Sequence, residues 1–132
     1  MIHAVPAEGF REIYPHVERF FRSFYERAKG SVAAGALEVE ILQKKRQCYV
    51  AVIDEEVKAC ALSYVDPAGN IVLDFCAGED AAEWQEPLIE MFEEWRASKG
   101  VRLTIICRPG WVRRLKMRDR GYREAHKIME LG

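Results

Sequence analysis

The sequence predicts an α/β domain of the α+β kind: a twisted, mainly antiparallel sheet with helices on both faces, three layers in all. Three observations predict it. Two long segments repeat apolar residues at three- and four-residue steps, the spacing of an amphipathic helix. Between them lie three β-rich runs joined by turns too short for a crossover, which makes neighbouring strands antiparallel. The full order is strand, helix, helix, three strands, helix, strand, helix, strand, with no repeat, linker or low-complexity segment. The chain, residues 1–132, is read as one domain, a length at which roughly two-thirds of the unfolded surface can be buried.

Each element has its own warrant. Met1 to Pro6 is a short first strand. Glu8 to Lys29 is helical, because Phe10, Ile13, Tyr14, Val17, Phe20, Phe21 and Phe24 form one apolar stripe. Pro15 within it predicts a break or kink, and Gly30 a stop. Ala33 to Lys45 is a second helix with Leu37 and Ile41 facing in. Cys48–Ile53, Val57–Val65 and Asn70–Ala77 are strands, separated by the acidic turn Asp54-Glu55-Glu56 and by Asp66-Pro67-Ala68-Gly69. Asp80 and Glu83 match a capping box, and Trp84, Leu88, Phe92 and Trp95 share a helical face that ends at Lys99-Gly100. Pro87 places the first regular turn near Trp84. Val101–Cys107 is a strand, Trp111–Arg118 a short helix after Pro109-Gly110, and Tyr122–Leu131 a last strand.

Composition narrows the classes. An apolar fraction of 49% with 31% charged residues excludes disorder, and a net charge of −1 excludes a polyelectrolyte. The N-terminus carries no basic start and apolar core of a signal peptide, and apolar runs fall short of a membrane span, so a cytoplasmic protein is expected. The four cysteines form no C-x-x-C pair, lie in strand-like runs and read as buried free thiols; no metal site is expected.

This order of elements resembles the GNAT (N-acetyltransferase) fold. Cys48-Tyr49-Val50-Ala51-Val52 looks like the family's second strand, and Gly121-Tyr122 like the Gly-Phe after its last helix. The resemblance points to two places. Active members bind the pyrophosphate of acetyl-CoA with a Gln/Arg-x-x-Gly-x-Gly/Ala loop between the fourth strand and the next helix. Here that stretch is Gly78-Glu79-Asp80-Ala81-Ala82-Glu83-Trp84, with one glycine and three carboxylates. A like-charge contact at about 4 Å near a surface costs on the order of 4 kcal/mol before screening, so no cofactor is expected. If acetyl-CoA binds after all, backbone near Gly78 and Arg108 or Arg113 are the expected contacts. Many active members also place a proton-donating tyrosine four residues before the Gly-Phe. That position is Met117 here, or Lys116 after a one-residue shift, and Tyr122 is expected in the core. Asp74, an acid within a central strand, is the one weak candidate for a general base.

The last third is basic, with Arg108, Arg113, Arg114, Lys116, Arg118, Arg120, Arg123 and Lys127, and the preceding helix is acidic, with Glu83, Glu86, Glu90, Glu93 and Glu94. Mutual ion pairs explain this most simply; a protein partner or self-association is the functional reading, nucleic acid a less favoured one, and a membrane none. The Cys107–Leu115 segment with Gly121-Tyr122 also resembles a signature of short GNAT-like proteins of tailed bacteriophages and prophages. That resemblance implies a non-catalytic, protein-binding or virion-associated module. The alternative is an active N-acetyltransferase with a remodelled loop. Trp111 is expected to be a core anchor, not a ligand contact.

Overall fold

The computed structural model describes residues 1–125. Its elements are β1 (Ile2–Val5), α1 (Phe10–Ala28), α2 (Ala36–Leu42), β2 (Gln47–Ile53), β3 (Glu56–Val65), β4 (Ile71–Gly78), α3 (Ala81–Lys99), β5 (Leu103–Ile105) and α4 (Pro109–Arg114). The five strands form one sheet in sequence order. The first four are antiparallel neighbours, and β5 runs parallel to β4, with α3 as the crossover that a parallel pair requires.

Local chemistry sets the meander. Asp54 and Glu55 both take positive φ, 51° and 66°, as a two-residue turn of the type that matches strand twist demands. In the next turn the Asp66 carboxylate accepts N–H bonds from Ala68 and Asn70, both 2.9 Å. Strand alternation then divides the core. Cys60 and Leu62 face α1 and α2, where they meet Val17, Phe21, Leu37 and Ile41. Ala59 and Ala61 face α3, where they meet Trp84, Leu88, Ile89 and Phe92. Helices therefore cover both faces, as predicted. Cys48 and Cys60 are buried free thiols, whereas Cys76 and Cys107 are half-buried.

Several boundaries differ from expectation. A 3-10 turn, Ala7–Gly9, precedes α1, which continues unbroken past Pro15. Pro15 and Arg11, whose carbonyl it leaves unbonded, are both exposed, so water can take that bond. The second helix is short, because Gly35 (φ 86°) and Lys44 (φ 62°) are left-handed at its two sides. α3 begins at Ala81 with Pro87 inside it, and α4 begins at Pro109, a favoured first helical residue. β5 is three residues long instead of seven. The last strand is not seen over Tyr122–Ala125, and its remainder lies outside the described residues.

Candidate functional site

The shortness of β5 creates the principal cleft. Pairing of β4 with β5 covers Ile71–Leu73 against Leu103–Ile105, and a last bond runs from the Ile106 N–H to the Leu73 carbonyl at 2.9 Å. Beyond that point β4 continues to Gly78 with no strand among the described residues on that side, while the segment after β5 turns away into α4. At the same place the β3–β4 register slips: Leu62 faces Phe75 and Ser63 faces Leu73, leaving Asp74 as the extra residue of a β-bulge. Leu73 and Cys76 pack on the α3 side, but Phe75 turns to α1, where its ring lies 5.0 Å from both Phe21 and Phe24. The parted ends enclose a cleft of about 920 Å3 walled by α1, the end of β4, the start of α3 and α4.

Asp74 lines this cleft and is not alone. Its Oδ1 accepts a bond from Arg46 Nη1 at 2.6 Å, and Arg46 Nε donates to Glu40 Oε2 at 2.6 Å. The guanidinium also sits 5.0 Å over the Tyr64 ring. Burial pulls the Arg46 pKa down, but the bonds to Asp74 and Glu40 outweigh it and the net shift is upward. The acid is thus held in place by a permanently cationic, mostly buried side chain.

The β4–α3 loop is only two residues long and its groups are committed. A Cβ on Gly78 would lie 2.5 Å from the Lys58 carbonyl oxygen and 2.5 Å from Ala59 Cβ, so this glycine is required by the approach of β3. The Glu79 N–H donates to the Lys58 carbonyl at 2.8 Å, and the Glu79 carbonyl accepts from Trp84 Nε1 at 2.6 Å. Asp80 precedes α3 in a left-handed conformation (φ 55°) with no side-chain cap bond, so the expected capping box is not formed. Two of the three acids have a cation beside them: Glu79 pairs with Arg19 at 3.3 Å, and Asp80 at 3.3 Å with Lys58, which Glu56 shares at 3.0 Å. Gly78→Ala is therefore expected to destabilise the protein by about 1–3 kcal/mol through overpacking alone. A melting temperature equal to wild type would show that β3 and Gly78 are not in contact.

The other sequence candidates sort by position. Arg108 lines the cleft, but Arg113 does not and Arg114 does. Met117 is buried, as a core residue, and Lys116 is exposed. Tyr122 is half-buried, and burial pushes its phenol pKa up. Trp111 is half-buried: it packs against the α3-side core, edge-on to Trp84 with ring centres 6.4 Å apart, and it also lines the cleft. The acidic and basic faces meet each other, since Arg120 binds Glu86 at 2.7 Å and Glu93 at 2.9 Å. Sequence reading missed Arg19 and Arg27, which α1 carries to the cleft, and Gln85, which is 2% exposed and lines it. A polar residue in the apolar stripe four positions before Ile89 was the available signal for Gln85.

Among the described residues no group of three or more His, Cys, Asp or Glu side chains is placed to hold a metal, and no helix is long and apolar enough to cross a membrane. No protein-family model and no curated protein matches the sequence. Solved structures do match. The aminoglycoside acetyltransferase meta-AAC0020 from an uncultured soil metagenomic sample, in complex with sisomicin, superposes with a TM-score of 0.60 at 15% identity over 100% of this chain and 96% of that one. The aminoglycoside N-acetyltransferase AAC(6')-Iy, in complex with CoA, gives a TM-score of 0.62 at 14% identity over 100% and 98%. The ribosomal-protein-alanine N-acetyltransferase of Brucella melitensis biovar Abortus 2308 gives 0.62 at 11% identity over 99% and 97%. At these identities the likeness is one of fold, carried by the mostly antiparallel five-stranded sheet with helices on both faces: the chain has the GNAT acetyltransferase fold.

Proposed function

We propose that the cleft binds an acyl thioester of coenzyme A and that the chain transfers the acyl group to an amine. One observation carries this reading: β4 and β5 part at the Asp74 bulge, so the β4 backbone from Asp74 to Gly78 is open to a slender, amide-bearing ligand, in a cleft lined by Arg19, Arg27, Arg108 and Arg114. The carboxylates of the β4–α3 loop weigh less against an anionic ligand than their number suggests, because Glu79 and Asp80 are ion-paired. The loop fits poorly in another respect, since its Glu79 amide is already bonded, and arginine side chains must hold the phosphates. In the reaction the amine nitrogen bonds to the thioester carbonyl carbon, the C–S bond breaks, and CoA leaves as the thiolate, which takes its proton from solvent. On this reading Asp74, which Arg46 holds, takes the proton from the attacking nitrogen.

Calorimetric titration with acetyl-CoA tests the reading, followed by measurement of acetyl transfer to a set of primary amines. A Kd below roughly 100 μM, about −5.5 kcal/mol, together with turnover that Asp74→Asn abolishes is the expected result. No binding up to millimolar acetyl-CoA would overturn it. A second reading, a non-catalytic protein-binding module of the kind the phage-protein resemblance implies, is favoured by one observation: Met117, where active members carry the tyrosine acid, is a buried core residue. Binding of acetyl-CoA without turnover on any amine favours that reading.

A further inference from the structure

The cations around the cleft are not equivalent. Arg19 is paired with Glu79, and Arg114 Nη1 donates to the Gln85 side-chain oxygen at 3.1 Å. Arg27, from the last turn of α1, and Arg108, at the start of α4, also line the cleft, and among the described residues neither has a carboxylate within ion-pair distance. Arg27 is steadied on its own helix by a 2.7 Å bond from Nη1 to Ser23 Oγ. Arg27 and Arg108 face one another's field across this cleft, and partial desolvation first, with the charge of Arg108 second, lowers the Arg27 pKa. Two like charges brought together from separate elements, each without an anion among the described residues, repel one another until a ligand supplies one. Guanidinium groups are matched to phosphate by their paired donors.

We propose that Arg27 and Arg108 form a two-sided clamp for the diphosphate of a nucleotide-type ligand, doing with side chains from α1 and α4 what the committed β4–α3 loop cannot do with its amides. The clamp deepens the reading of the cleft as an acyl-CoA site and rests on it for the choice of ligand, but the recognition of a diphosphate stands by itself. Its position puts the phosphates between the end of α1 and the start of α4, leaving the Asp74–Gly78 backbone for the rest of the ligand.

The test compares wild type, the double variant Arg27→Gln/Arg108→Gln and the control Arg113→Gln, which lies off the cleft, using acetyl-CoA and inorganic pyrophosphate as separate probes. Both arginines of the clamp are exposed, so the variants are expected to melt as wild type does. The expected result is loss of roughly 10- to 100-fold in affinity for both probes in the double variant, with the control unchanged, since bonds to charged groups are the strong ones. The salt dependence of binding should also flatten in the double variant. Acetyl-CoA binding that the double variant leaves untouched overturns the clamp and spares the acyl-CoA reading. Pyrophosphate binding lost in the double variant, with no acetyl-CoA binding to wild type, supports the clamp and sinks the acyl-CoA reading. Failure of wild type to bind either probe overturns the clamp.

Discussion

Phe21→Ala is expected to cost about 3–5 kcal/mol, a large share of the roughly 5–15 kcal/mol available to a small domain. Phe21 is 1% exposed and its ring sits 6.0 Å from Phe10, 6.1 Å from Tyr14 and 5.0 Å from Phe75. It thus joins the start of α1 to the residue of β4 beside the bulge. The change removes a large apolar side chain and leaves a cavity that the surrounding rings, held by strands and helix, cannot fill. It also removes one of the two rings against which Phe75, the neighbour of the Asp74 bulge, packs. Urea denaturation should show the loss of stability as a lower midpoint, and any acyl-transfer activity should fall by more than the fraction unfolded explains. A loss below roughly 1 kcal/mol would mean that the aromatic cluster is not packed as described.

Arg46→Met is expected to cost about 3 kcal/mol, the lower end of the penalty for removing one partner of a buried ion pair. The Arg46 side chain is 13% exposed and that of Asp74 19%, so each is poorly placed to exchange its partner for water. Methionine keeps an apolar stem but removes the charge and the guanidinium that sits over Tyr64, leaving the carboxylates of Asp74 and Glu40 without their cation. Adding Asp74→Leu should recover part of the loss, because a buried pair replaced by apolar side chains is often neutral. Chemical denaturation of the single and double variants measures this. A single variant as stable as wild type would show that Arg46 contributes nothing to holding Asp74.

How far the sequence could be read depended on whether a feature is local. The apolar stripe of α1 and the short turns at Asp54-Glu55-Glu56 and Asp66-Pro67-Ala68-Gly69 are patterns over a few residues, and they placed the long helices and the meander correctly. Asp74 stood out for the same reason, as an acid inside an apolar strand. The helix boundaries failed where a single backbone conformation decided them, as at Gly35 and Lys44, whose left-handed φ angles no periodicity shows. Pro15 was read as a break or kink and Pro87 as setting the first regular turn near Trp84, yet both helices run through their prolines. The acids of the β4–α3 loop were read as local charges and helix caps; the cations that pair with Glu79 and Asp80, Arg19 and Lys58, are distant in sequence. Arg27 and Arg108 are just as distant from each other along the chain, and they line one cleft only because β5 leaves the sheet after three residues.

Amide NMR of the labelled protein titrated with acetyl-CoA tests most directly whether the parted end of β4 is the functional site. Binding there should perturb the backbone amides of Asp74 to Gly78, of Arg108 to Arg114 and of the last turn of α1 around Arg27. Perturbations confined to the opposite end of the sheet, around Lys44 to Tyr49 and Ser63, or no perturbation at millimolar ligand, would contradict it.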